Sequence, residues 1–162
     1  MILSRTSQYA IQALIFIAAQ PRGTTILNRS AAEHLRVPPA YLAKIMRQLS
    51  KGGLLVSARG RQGGFTLAEG AGKVDLMRVI TLIEGLGFTD DCVLGLKVCE
   101  DLTACPMHYQ WRPIKERVVA LLREQTLEGL GRLVRSGKYR LADLPEAALG
   151  TTGLGRTREA VG

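Results

Sequence analysis

Apolar residues recur with a helical period along most of the first fifty positions. Tyr9, Ala10, Ala13, Leu14, Ile17 and Ala18 fall at i, i+1, i+4, i+5, i+8 and i+9. They form one stripe of a helix over 5–19, which Pro21, Arg22 and Gly23 end. Ser30-Ala-Ala-Glu33 has the form of a capping box and predicts a short helix to about Leu35. Val37-Pro38-Pro39 breaks that helix, and Pro39 suits the first position of the next. There Leu42, Ile45, Met46 and Leu49 make an apolar face, with Tyr41, Lys44, Arg47, Gln48 and Lys51 opposite, until Gly52-Gly53 closes the helix. Two β-prone runs, 54–58 and 65–67, flank Arg59-Gly60-Arg61-Gln62-Gly63-Gly64 and predict a hairpin. Leu76, Val79, Ile80 and Ile83 predict a helix over 74–84. Trp111, Ile114, Val118, Leu121 and Leu122 predict a long one over 107–124, with Pro113 in or near its first turn. A short helix over 127–134 follows. Between the helices, residues 85–105 show no periodicity, and residues 145–162, rich in Gly, Ala and Thr, read as a flexible tail.

A short helix, a tight turn, a helix with a basic polar face and a basic glycine hairpin follow one another in the order of a winged helix-turn-helix. The predicted fold is mainly α with a small β-hairpin wing. The division is a winged helix-turn-helix over 1–72, the aperiodic segment with the later helices over 73–140, and the tail over 141–162. Apolar content of 46% excludes wholesale disorder, and aromatic content of 5% makes the core aliphatic. No run is long enough to span a membrane. The apolar stretch 10–19 is interrupted by Gln12 and lacks a cleavage site, so it is not read as a signal peptide.

Charge placement sharpens this picture. Residues 1–64 carry nine Lys and Arg and one acid, Glu33, so the whole net charge of +8 lies there and the remainder is neutral. A domain that basic implies a polyanionic partner, double-stranded DNA in this setting. Lys44, Arg47 and Gln48 are the candidates for the major groove, with Tyr41 and Ser50 as phosphate contacts. Backbone N–H groups at Pro39–Ala40 are candidates for a further phosphate. Arg59, Arg61 and Gln62 on a small-residue tip suit the narrower minor groove. His34, in the short helix, is assigned a packing or surface role.

All three cysteines lie in the aperiodic segment. Cys92, Cys99, Cys105 and His108 have the spacing C-x6-C-x5-C-x2-H. Without an export signal, thiols imply a reducing cytoplasm and read as metal ligands or reactive groups rather than disulfides. Thiolates suit iron–sulfur clusters and zinc. Structural zinc favours tighter pairs, so gaps of six and five residues fit a larger inorganic cluster better. Zinc and three unrelated thiols stay open as alternatives. His108 is the chosen fourth ligand, with Asp90, Asp91, Glu100 and Asp101 as substitutes; residues 1–32 hold no Asp or Glu with which a partner's first helix could contribute. A cysteine nucleophile paired with His108 would make an enzyme, but no nucleotide loop or substrate motif accompanies it, and the chain is not read as one.

The start Met1-Ile-Leu-Ser-Arg-Thr-Ser-Gln-Tyr9-Ala10, the segment Tyr41-Leu-Ala-Lys-Ile-Met, the wing Arg59-Gly-Arg-Gln-Gly-Gly-Phe65 and the three cysteines together resemble a known family over about residues 1–140. It is the family of bacterial winged-helix regulators that includes the iron–sulfur cluster assembly repressor and the nitric-oxide-sensing repressor. The resemblance implies a homodimer built on the long C-terminal helix, which then serves as a dimerisation helix, and a palindromic promoter site. It implies a repressor sensing iron, redox state or nitric oxide. The three-cysteine-plus-histidine pattern resembles the cluster assembly branch and its 2Fe–2S centre, although the first gap is one residue longer; the nitric-oxide branch would bring 4Fe–4S. In the cluster assembly repressor the position matching Ala43 is a glutamate that helps discriminate DNA sites, and this chain lacks it.

Overall fold

The computed structural model describes residues 3–60, 63–85, 92–96 and 100–142. Six α-helices and one two-stranded antiparallel hairpin occupy them: α1 (Arg5–Ala18), α2 (Asn28–Leu35), α3 (Pro39–Lys51), β1 (Leu55–Ala58), β2 (Gly64–Leu67), α4 (Leu76–Glu84), α5 (His108–Glu124) and α6 (Leu127–Arg135). Of the expected tail, residues 143–162 fall outside the described residues, while Leu141 packs against the core.

Helix α1 lies at the centre. Ser4 caps it, its hydroxyl accepting the Ser7 amide at 3.1 Å, and Ala10, Ala13 and Leu14 are wholly buried. Leu35, Leu42, Ile45, Met46 and Leu49 close the core beneath α2 and α3, with Val79 and Ile80 of α4 completing it. This aliphatic set is what the composition required.

One detail departs from the sequence expectation. Helix α2 starts at Asn28, before Ser30, with Leu27 at its cap, so the predicted capping box does not form. Asn28 instead donates its side-chain amide to the Pro39 carbonyl at 2.9 Å, tying the start of α2 to the first turn of α3, while Glu33 pairs with Arg29 at 3.0 Å. Pro113 sits in the second turn of α5, near the first as expected.

The turn between α2 and α3 ends in a left-handed residue, Arg36 (φ 55°), after which the Val37 amide reaches back to the Ala32 carbonyl at 3.0 Å. Val37 is thereby buried and the chain is turned sharply into Pro38 and Pro39. The wing hairpin runs in the register Leu55↔Leu67 to Ala58↔Gly64. A third rung, unforeseen, comes from Ile26, whose N–H and C=O both pair with Phe65 at 2.9 Å. A side chain at Gly64 would meet the Ile26 carbonyl at 2.5 Å, so that rung requires glycine.

The core does not stop at residue 72. The Leu76 amide bonds Gln125 O and the Leu127 amide bonds Val74 O, both at 3.1 Å, joining the entry to α4 with the α5–α6 corner. Helix α6 then crosses α1 at Gly131, where a Cβ would stand 2.8–3.0 Å from Ala18 atoms. Gly131→Val therefore forces two backbones apart. Its expected cost is about 1–3 kcal/mol, seen as a fall of about 2–10 °C in thermal midpoint by circular dichroism.

Candidate functional site

The exposed face of α3 is built by helical spacing. Ala40, Lys44, Arg47 and Lys51 fall at i, i+4, i+7 and i+11 and all point to solvent, opposite the buried Leu42, Ile45, Met46 and Leu49. Pro38 caps the helix with Pro39 in its first turn. The last carbonyls are closed by Gly53 (φ 75°) and by the Leu54 amide bonding Leu49 O at 3.0 Å. Arg59 is exposed where the wing leaves β1, beside Gly60 at φ 104°. Arg61 and Gln62 lie outside the described residues.

Three of the expected DNA contacts are used differently. The Gln48 amide donates to the Leu82 carbonyl of α4 at 3.2 Å, and the Ser50 hydroxyl is enclosed with no partner among the described residues. The Tyr41 hydroxyl is within 2.7 Å of the Thr6 hydroxyl, and its ring meets Tyr9 edge-on, so this side chain seats α3 on α1. Lys51, which the helical period set on this face but the expected DNA-binding set left out, stands beside Lys44 and Arg47 in solvent. His34 stacks on Phe16 at 4.3 Å between ring centroids, the packing role assigned to it.

The segment after α4 returns at Cys92. Its sulfur lies 3.7 Å from that of Cys105 and accepts the Leu94 amide at 3.4 Å. Cys92 is buried and Cys105 half-buried. Three residues on, His108 opens α5 and is 2% exposed. Its Nε2 meets Asp101 Oδ1 at 2.9 Å, and Arg112 Nη1 donates to both Asp101 oxygens at 2.9 and 3.0 Å. The hydrogen bond with His108, and then the guanidinium of Arg112, hold the Asp101 carboxyl below the usual carboxylate range. Cys99 lies outside the described residues, as do Asp90 and Asp91; among the described residues no three His, Cys, Asp or Glu side chains converge as a metal site.

The donor chemistry of the sulfur pair fits a metal. Two thiolates on one tetrahedral ion with bonds of about 2.3 Å stand roughly 3.8 Å apart, close to the 3.7 Å here.

Residues 3–132 match the family Rrf2, described as iron-dependent transcriptional regulator. The chain belongs to the Rrf2 family. An HTH-type transcriptional regulator of Aquifex aeolicus is 30% identical over 132 residues, covering 80% of this chain and 91% of that one. The HTH-type transcriptional regulator IscR of Xenorhabdus nematophila is 28% identical over 130 residues, covering 80% and 79%. In three dimensions, T. potens IscR superposes with a TM-score of 0.65 at 24% identity (85% of this chain, 90% of that one), a likeness of fold. CymR, the global cysteine regulator of B. subtilis, gives the same score and identity over 81% and 96%. The chain is thus an Rrf2-type, winged-helix transcriptional regulator that binds DNA, in a family of regulators rather than enzymes. Within the described residues no helix is long and apolar enough to cross a membrane.

Proposed function

We propose that this Rrf2 regulator is a cytoplasmic, homodimeric repressor whose operator affinity is set by an iron–sulfur cluster, of 2Fe–2S type, held by Cys92, Cys99, Cys105 and His108. The observation that carries the reading is the 3.7 Å separation of the Cys92 and Cys105 sulfurs, with the buried His108 three residues after Cys105. The carboxylate of Asp101 on the His108 ring is the kind of partner that orients a metal-bound imidazole. The iron-dependent description of the family supports the same choice of metal.

Lys44, Arg47 and Lys51 read the major groove, and Arg59 with Arg61 and Gln62 enters the adjacent minor groove. The homodimer rests on α5. Met107, Trp111, Ile114, Val118 and Leu121 follow the alternating spacing of four and three that makes a two-helix seam. Ile114 and Leu121 are more than half exposed in the single chain, and Met107 is 42% exposed. A twofold pair of recognition helices implies a palindromic operator with half-sites about one helical turn apart.

The cluster acts through the frame around it. The cysteine segment departs from the C-terminal end of α4, where Glu84 accepts the Ser4 amide of α1 at 3.0 Å. Two residues earlier, Leu82 receives the Gln48 amide of α3, and its side chain fills the space above Gly52. A change in the segment shifts the end of α4 and, through Leu82, the recognition helix.

The experiment is an iron, zinc and sulfide assay with an absorption spectrum on anaerobically purified protein, alongside operator binding. Wild type is expected to contain iron and sulfide, Cys92→Ser and Cys105→Ser to lose them, and operator affinity to change by about 5–150-fold with that loss. Zinc without sulfide would replace the cluster with a structural ion. Wild-type iron content in both variants would end the assignment.

A further inference from the structure

We propose that Cys92 and Cys105 are also a redox modification site, forming an intramolecular disulfide when the metal-free protein meets a peroxide. The geometry stands apart from the cluster reading, although both use the same sulfurs. The thiols are 3.7 Å apart across thirteen positions of chain. Both residues lie outside the helices, so closing to a bond of about 2.05 Å needs side-chain rotation and a small shift of coil. Their environments differ in a useful way. Cys105 is half-buried and within reach of a small oxidant. Cys92 is 7% exposed, and its sulfur accepts the Leu94 amide at 3.4 Å. Cys105 is therefore the thiol that is oxidised first, and Cys92 the one that resolves it.

The steps balance. The Cys105 thiolate attacks one peroxide oxygen, the O–O bond breaks, and the departing hydroxide takes a proton to become water, leaving Cys105 as a sulfenic acid. The Cys92 thiolate then attacks the Cys105 sulfur, the S–O bond breaks, and a second hydroxide leaves and is protonated to water. Two thiols lose two electrons, and one hydrogen peroxide gains them. A dithiol reductant restores both thiols. While joined, the two sulfurs cannot ligate a metal, so oxidation closes the site to reloading.

The test uses the reduced, metal-depleted full chain with one equivalent of hydrogen peroxide, followed by alkylation under denaturing conditions and peptide mapping. Free thiols are expected to fall from three to one, with a Cys92–Cys105 linked peptide that dithiothreitol removes. Cys99→Ser should form the same link. Cys92→Ser should form none and should instead carry a dimedone-reactive sulfenic acid at Cys105. Three unreacted thiols, a bridge that includes Cys99, or a bridge between chains would each overturn the proposal. Protein that purifies without iron yet forms this link would remove the cluster and keep the disulfide; protein that purifies with a full cluster but forms no link once metal-depleted would do the reverse.

Discussion

Combined substitution Lys44→Ala and Arg47→Ala is expected to weaken operator binding by about 10²–10³-fold, from roughly 1–3 kcal/mol per base-edge or charged interaction. Both side chains extend from the exposed face of α3, while the buried face of that helix fixes its seat on the domain. Removing them takes nothing from the core, so thermal stability should stay within about 0.5 kcal/mol of wild type. The slope of log affinity against log salt should flatten by roughly 0.9 for each DNA phosphate that is no longer neutralised. Gln48→Ala and Ser50→Ala serve as contrast. The first removes a bond to Leu82 and the second an enclosed hydroxyl, so neither should flatten the salt slope. Fluorescence anisotropy on an operator selected from random sequence by the wild type reads all these variants. A double variant that binds like wild type would mean that another surface meets the DNA.

A comparable loss is expected from Ile114→Glu with Leu121→Glu. Both residues are more than half exposed in the single chain, so the substitutions leave the monomer's fold intact. In a two-helix seam they place like charges where apolar side chains must meet. Analytical ultracentrifugation should show a monomer where the wild type is a dimer. Operator affinity should fall by about 10²–10⁴-fold, because the second half-site is no longer tethered to the first. A variant that remains dimeric would move the interface elsewhere, and a monomer that keeps full affinity would remove the need for twofold binding.

Much of this was legible in the residues. The limits of α1, α3, α4 and α6 follow from apolar period and end signals, because each helix here buries one stripe and is stopped by Pro or Gly or started by a capping side chain. The basic face of α3 was legible for the same reason. The direction of Gln48 was not: it borders the charged face on the helix, and only the passage of α4 at Leu82 turns it inward. Ser30 and Glu33 matched a capping pattern, yet Asn28, held by Pro39, begins the helix earlier. The Ile26 rung on the wing joins residues thirty-nine positions apart, and no local pattern announces such a pairing.

Sequence alone determined the winged helix-turn-helix order, the concentration of positive charge in the first sixty-four residues and the soft-ligand character of the later segment. Period, charge and side-chain chemistry are properties of neighbours in the chain, and they can be read without coordinates. Tertiary structure decided which polar side chains of α3 stay exposed, which two sulfurs approach to 3.7 Å, and that α6 closes on α1 at Gly131. Those outcomes depend on how separate elements pack, and packing is settled by shape and burial between residues far apart in sequence.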